Sequence, residues 1–303
     1  MFPKALLLAL VAACPVFAAP TPAAPQVTDT DVLQFALTLE HLESAFYAQA
    51  LAKYDAQAFA DVGFPEWVRN RFEQIGQHEA DHVNFLTSAL GANATQACEY
   101  NFPHNNPREF AALSVALENV GDSAYVGAAQ LVTDKSILTA AASILSVEAR
   151  HAAWVSAPVD KDQGWNGPFD APLTPSGAFS LASLFVTSCP ASNPALPVKL
   201  FPALTLSNGA PAHGSPVTLT FDGANSTSGA GQAFAAWLSG LNVVYSDVAA
   251  DGSTTVPDTL EGTTFVAVVS SKAEPPSDDN LLSGFAIAEF PFDSHATEPA
   301  QSA

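Results

Sequence analysis

Two copies of Glu-x-x-His stand in the chain, Glu79-Ala-Asp-His82 and Glu148-Ala-Arg-His151. A three-residue step on a helix places both side chains on one face, so each copy can grip one metal ion. Two further glutamates recur in a second pattern, Glu40 seven residues before Tyr47 and Glu118 seven before Tyr125. That step also returns to the same helical face. Along the chain the order is Glu…Tyr, ExxH, Glu…Tyr, ExxH, an internal two-fold repeat of a helical hairpin. A single ExxH is a short pattern that chance supplies; two copies alternating in register with two more glutamates make a candidate site.

Apolar residues flank each glutamate on its own stripe: Leu33 and Leu37 for Glu40, Phe72, Ile75 and Leu86 for Glu79, Val115 for Glu118, and Ile144, Leu145 and Val155 for Glu148. All four carboxylates are therefore expected to face inward. Gathered in an apolar core they repel one another and lose hydration, so at neutral pH they must be protonated, solvated or bound to cations. Two divalent ions balance four carboxylates in charge, which favours a dinuclear site. Oxygen and imidazole donors point to iron first and manganese second, with zinc also admitted.

Several neighbours have two readings. Tyr47 and Tyr125 either hydrogen-bond the ligands or relay an electron from behind them, or they simply fill the core. Glu43, one turn from Glu40, is either an extra ligand or, as the first expectation, a surface or interface carboxylate. His41 and His78 are one step off the ligand face and read as surface histidines. Asp122, one turn after Glu118, either orients a ligand histidine or is a solvated helix residue, the second being the expectation. No catalytic residue is assigned.

The elements that must position these groups follow from periodicity and caps. Helix one is expected over residues 29 to about 54, and helix two from Pro65 to near Gly91. Residues 92–106, with a Pro-His-Asn-Asn-Pro turn cluster, read as a long crossover. Asn106 and Pro107 open helix three, which runs to about Val132, and Asp134 caps helix four to about Ser156. A fifth helix, from about 175 to 187, lies against the bundle. Short apolar or alternating runs follow at 199–206, 216–221, 233–246, 263–270 and 282–290, which predict a small antiparallel β-sandwich, Ig-like in broad class. Asp222, Asp251, Asp258, Asp278 and Asp279 sit among turn residues there and read as turn chemistry. The fold class expected is α+β, with a bundle over 29–192 and a sandwich over 197–295.

At the N-terminus, a lysine followed by an apolar run and Val16-Phe17-Ala18 reads as a signal peptide over residues 1–18, with a Pro/Ala/Thr leader over 19–28. The polar end of the sequence argues against a lipid-anchor tail, and no stretch is long enough to span a membrane. Loss of the signal removes Cys14 and leaves Cys98 and Cys189, expected to pair in an oxidising compartment. Asn93-Ala-Thr95 and Asn225-Ser-Thr227 are glycosylation sequons that suit a secreted chain. With 30 acidic against 10 basic residues the net charge is −20, which disfavours nucleic acid and anionic membranes and attracts cations.

A glutamate from each of two helices and a Glu-x-x-His from each of the other two is the pattern of ferritin-like di-iron and di-manganese bundles. In wider texture, the run Phe35 to Tyr47 and the sandwich-like tail resemble the secreted ferritin-like family that contains fungal Rds-type stress-response proteins and plant desiccation-related proteins. The resemblance implies that Glu79 and Glu148 bridge two ions, that Glu40 and Glu118 are terminal ligands, and that His82 and His151 each cap one ion. It also implies chemistry with dioxygen, peroxide or ferrous iron. The alternative is a non-enzymatic extracellular stress or surface protein whose metals are structural. Cell-wall or other extracellular partners and a homo-oligomer are compatible with the sequence.

Overall fold

The computed structural model describes residues 27–223 and 232–292. The expected signal segment, most of the leader and the Asn225 sequon lie outside the described residues.

Four long helices form the bundle: α1 (Asp29–Lys53), α3 (Glu66–Leu90), α4 (Pro107–Ala128) and α5 (Lys135–Trp154). The starts of α1, α4 and α5 are set by side chains that accept orphan backbone N–H groups, whereas α3 follows Pro65 without one. Thr28 and Asp31 form a capping box on α1. Asn106 accepts from the N–H groups of Arg108 and Glu109, and Asp134 accepts from those of Ser136 and Ile137. Gly91, at φ 63°, ends α3 in a left-handed turn that suits glycine. A short α2 (Ala56–Asp61), capped by Asp55, links the first two long helices and buries Phe59. The periodicity reading passed over it because six residues are too few to set a stripe. Phe59 joins Phe46, Phe72 and Phe110 in an aromatic cluster, with centroids 4.7–6.3 Å apart, at one end of the bundle.

Beyond α5 the chain widens into a π turn over Val155–Asp160 that contains Pro158, and leaves it through Lys161 in the left-handed region. Proline has no N–H to donate, so the regular ladder stops there. The fifth helix is shorter than expected. α6 spans Pro175–Ala182, and Val186–Ser188 is instead a strand, β2, paired antiparallel with β1 (Glu99–Tyr100) of the crossover. A disulfide between Cys98 and Cys189 sits beside this pairing. It ties the crossover to the exit of α6.

The remaining strands form two antiparallel sheets. One has the order β3-β4-β7 (Thr205–Leu206, Pro216–Thr220, Ser253–Thr255). The other has the order β6-β5-β8-β9 (Asn242–Val248, Ala233–Ser239, Gly262–Val269, Leu281–Phe290). The run expected as one strand over 233–246 is a hairpin, because Gly240, at φ 56°, turns the chain between β5 and β6. Residues 199–204 form no strand: Lys199 and Phe201 donate to Ser176 and Ser180 of α6, and Pro202 accepts from Gly284 of β9. Alternation gives the four-stranded sheet two apolar faces. Trp237, Val266, Val268 and Phe290 meet the three-stranded sheet, whereas Ala236, Phe265, Ala267 and Phe285 share a core with the helices. That second core runs without a break across the helix–sheet boundary. Asp251 accepts from the backbone and hydroxyl of Ser253, which is turn chemistry, but Asp278 accepts from Ser176 Oγ and so fastens α6 to the sheet loop.

Close approach on α4 dictates one glycine. A Cβ at Gly127 would lie 1.7 Å from the carbonyl oxygen of Leu173. In an unencumbered helix Gly→Ala gains about 1 kcal/mol. Here the expected sign is reversed: Gly127→Ala loses about 1–3 kcal/mol, measured by denaturant unfolding.

Candidate metal centre

The bundle brings all six motif residues together. Glu40 from α1, Glu79 from α3, Glu118 from α4 and Glu148 from α5 are each fully buried. Their ligand atoms fall into two groups: Glu40, Glu79, His82 and Glu148, and Glu79, Glu118, Glu148 and His151. Within each group those atoms lie within 4.8 Å of one another. Glu79 and Glu148 belong to both groups, and the other four residues to one each.

The imidazoles mark where positive charge is wanted. His82 Nδ1 is 3.3 Å from Glu40 Oε2, 3.1 Å from Glu79 Oε2 and 3.2 Å from Glu148 Oε1. His151 Nδ1 is 3.0 Å from Glu79 Oε1 and 3.2 Å from Glu118 Oε2. One N–H cannot point at three acceptors at once. Glu40 Oε2, Glu79 Oε1 and both oxygens of Glu148 accordingly have no hydrogen-bond partner, although imidazole charge is near. Buried acceptors without donors cost free energy, and a cation at the focus of each group satisfies all of them. The residues present thus fit a pair of metal ions.

The supporting residues repeat the two-fold symmetry. Tyr125 on α4 donates to Glu40 Oε1 at 2.5 Å, and Tyr47 on α1 donates to Glu118 Oε1 while its hydroxyl lies 2.6 Å from Ser114 Oγ. Each tyrosine therefore holds the singly grouped carboxylate of the opposite hairpin. Both rings hydrogen-bond a carboxylate of the cluster, and Tyr47 also fills the core against Phe46, Phe72 and Phe110.

Two expectations are corrected. Glu43 is not on the surface: it is 3 % exposed, its Oε2 is unpartnered, and it occupies the space left by Gly121, where a Cβ would stand 2.5 Å from Glu43 Oε1. Asp122 is 3 % exposed instead of solvated, and it hydrogen-bonds neither ligand histidine. Both were misplaced because a second hairpin and a sheet cover faces that a lone helix leaves open. His41 is half-buried, with Nε2 3.1 Å from the Thr95 carbonyl.

His78 is exposed, as expected, yet it stacks on His151 with ring centroids 5.2 Å apart, and its Nδ1 is 2.9 Å from His151 Nε2. It holds the outer nitrogen of His151 while the inner one faces the carboxylates. The four-residue step from His78 to His82 was the sequence signal for a place near this seam.

Protons compensate the cluster when no metal does. Burial pushes Glu40 up to about 7 against the opposing bond from His82. Glu148 is driven well above the usual carboxylate range by burial and by the Glu79 and Glu118 charges. Burial alone would lower the histidines, but the carboxylates outweigh it and raise His82 to about 10 and His151 to about 9. Glu79 goes down to about 2, because His151 and His82 outweigh its burial.

Two comparisons with known proteins bear on this bundle. The model of a family described as a ferritin-like domain matches residues 28–161, the span that carries all six motif residues. Fold and cluster together define this half of the chain as a ferritin-like bundle with a carboxylate–histidine centre. Protein rds1 of Schizosaccharomyces pombe is 27 % identical over 184 residues, covering 59 % of this chain and 44 % of that protein. The chain thus spans less than half the length of this relative. The two matches together support a ferritin-like, Rds-type family.

The proton affinities set a pH dependence. Glu40 and the two histidines hold protons more tightly folded than unfolded, so their contribution to stability falls as pH rises. For Glu40 the fall runs from about 4.5 to about 7, and for His82 from about 6.5 to about 10. Glu79 has the opposite sign, gaining stability as pH rises from about 2 to about 4.5. Metal-free protein is therefore expected to melt highest at about pH 4.5 and to weaken toward alkaline pH. Saturating divalent metal displaces the protons and reverses the alkaline decline; calorimetry across pH, with and without metal, checks both.

Proposed function

We propose that Glu40, Glu79, His82, Glu118, Glu148 and His151 hold two metal ions, iron in first place, then manganese, with zinc third, in an extracellular stress-response protein. The site's chemistry is redox chemistry with dioxygen or peroxide, or oxidation of ferrous iron as substrate. The observation that carries this reading is the sharing of Glu79 and Glu148 between two ligand groups whose buried oxygens lack hydrogen-bond donors. Bound iron or manganese supplies the one-electron steps that side chains of this kind cannot.

The chain's own residues supply the rest. Glu79 and Glu148 would be common to both ions, Glu40 and Glu118 would serve one each, and His82 and His151 would complete the two sets. Tyr125 and Tyr47 fix the orientation of Glu40 and Glu118 by donating to them. Beside the same cluster, burial and then the Glu40 charge push the Glu43 carboxyl well above the ordinary carboxylate range. Apolar packing around the four glutamates keeps bulk water out, which strengthens every charge interaction inside.

Export rests on separate support. The Cys98–Cys189 disulfide suits an oxidising compartment, and Asn93 of the sequon lies exposed in the turn after α3. No helix among the described residues is long and apolar enough to cross a membrane.

Metal analysis of the protein is expected to give two ions per chain, and Glu79→Ala to lose both along with dioxygen consumption on addition of ferrous iron. Tyr125→Phe keeps the ligands but releases Glu40, so metal affinity is expected to fall roughly 10- to 100-fold, read by competition with a chromophoric chelator. A folded, stable protein that binds no metal would defeat the redox reading and leave the non-enzymatic one, a stress, desiccation or cell-surface protein.

A further inference from the structure

A cavity of about 390 Å³ lies where α4 and α5 meet the loop after α5 and the edge of the β8–β9 ladder. Five carboxylates line it, Asp122, Asp160, Asp162, Asp170 and Glu289, and no lysine or arginine does. Arg108 acts electrostatically on Asp160 from outside the lining.

The five acids are graded from solvent inward. Asp160 and Asp162 are exposed, Asp170 and Glu289 are half-buried, and Asp122 is 3 % exposed. The next carboxylate along α4 is Glu118, one turn from Asp122 and fully buried in the metal centre. Residues four apart on a helix have Cβ atoms about 6 Å from each other.

Most polar groups of the wall are committed to neighbours. Asn166 Nδ2 donates to Asn119 Oδ1 and to Asp170 Oδ1, at 2.7 and 3.0 Å, and Thr263 Oγ1 donates to Glu289 Oε2 at 3.1 Å. Among the acids withdrawn from solvent, Asp122 is the exception. It lines the cavity, is almost wholly buried, and accepts no hydrogen bond from any described residue. Burial, then the charges of Asp170 and Glu118, push its carboxyl up to about 8. A buried acid without a donor, facing a cavity walled by other acids, is a place for a cation.

The apolar cavity at the start of α5 gives the contrast. It also ends one turn from the centre, at Tyr125, but apart from Asp134 and Ser136 its side chains are apolar or that tyrosine. A cation there meets a single carboxylate, Asp134, and that one already caps α5.

We propose that the acidic cavity is the loading route for the metal centre, along which a hydrated divalent cation passes from Asp160 and Asp162 to Asp170 and Asp122 and then to Glu118. Successive carboxylates replace its hydration, so that the full cost of losing water never falls on one step. The proposal rests on the dinuclear reading above, and it assigns Asp122 and Asp170 a role in the rate of metal uptake with none in the final affinity.

The test is stopped-flow loading of metal-free full-length protein with Co²⁺, followed by visible absorbance, together with equilibrium titration of the same samples. Asp122→Asn and Asp170→Asn are each expected to slow loading about tenfold or more, while two ions per chain still bind with unchanged affinity. Asp251→Asn, in a sheet turn away from the cavity, controls for the loss of one charge and is expected to load at the wild-type rate. Asp162→Asn combined with Glu289→Gln keeps the test open should Asp122→Asn fail to fold, and is expected to slow loading in the same way. Wild-type loading rates with full stoichiometry in the cavity variants overturn the route and leave the dinuclear reading standing. Variants that load at the normal rate but bind more weakly also overturn it, since they give Asp122 and Asp170 a structural role. Wild-type protein that takes up no Co²⁺ overturns the dinuclear reading and the route with it.

Discussion

A carboxylate taken out of water loses hydration that only an opposite charge or several donors can replace. This chain buries four of them at one level of a helical bundle, within reach of one another. No apolar packing offsets that cost, so compensation of the glutamates constrains everything around them. The two histidines face inward, each with Nδ1 toward carboxylates from more than one helix. The tyrosines reach across between hairpins for the same reason, each spending its one hydroxyl proton on a carboxylate of the other half.

Rigid placement of those groups comes from ordinary helix chemistry. Side-chain caps fix where α1, α4 and α5 begin, and so fix the level at which each glutamate stands. Small residues then let the helices and their cover close in: Gly121 gives Glu43 its space, and Gly127 admits the backbone at Leu173. The crossover that a two-hairpin bundle needs is held at its middle by the short β1–β2 ladder and the disulfide. A long connection is thereby prevented from loosening the pair of hairpins it joins.

The sheets bear on the centre as well as on the fold. Phe265 and Phe285 extend the helical core into the four-stranded sheet, and Asn166 links α4 to the backbone of Thr263 on β8. This junction leaves an acidic cavity beside α4 and α5. The π turn after α5 carries Asp160 to its mouth, so the irregular end of one helix and the edge of one sheet jointly shape the approach to the buried acids.

Spacing within the chain was enough to determine that four helices exist, that six residues occupy equivalent faces of them, and that the arrangement repeats. Those are properties of helical periodicity and caps, which act over three to seven residues. The alternating runs likewise announced antiparallel strands, although Gly240 was needed to show that one run was two. Tertiary structure alone decided which oxygens converge and how the tyrosines are paired. It also decided that Glu43 and Asp122 lie inside and that His78 backs His151. Each of these depends on a surface supplied by a segment distant in sequence, here a second hairpin or a sheet, and a helix carries no local record of what will cover its other faces.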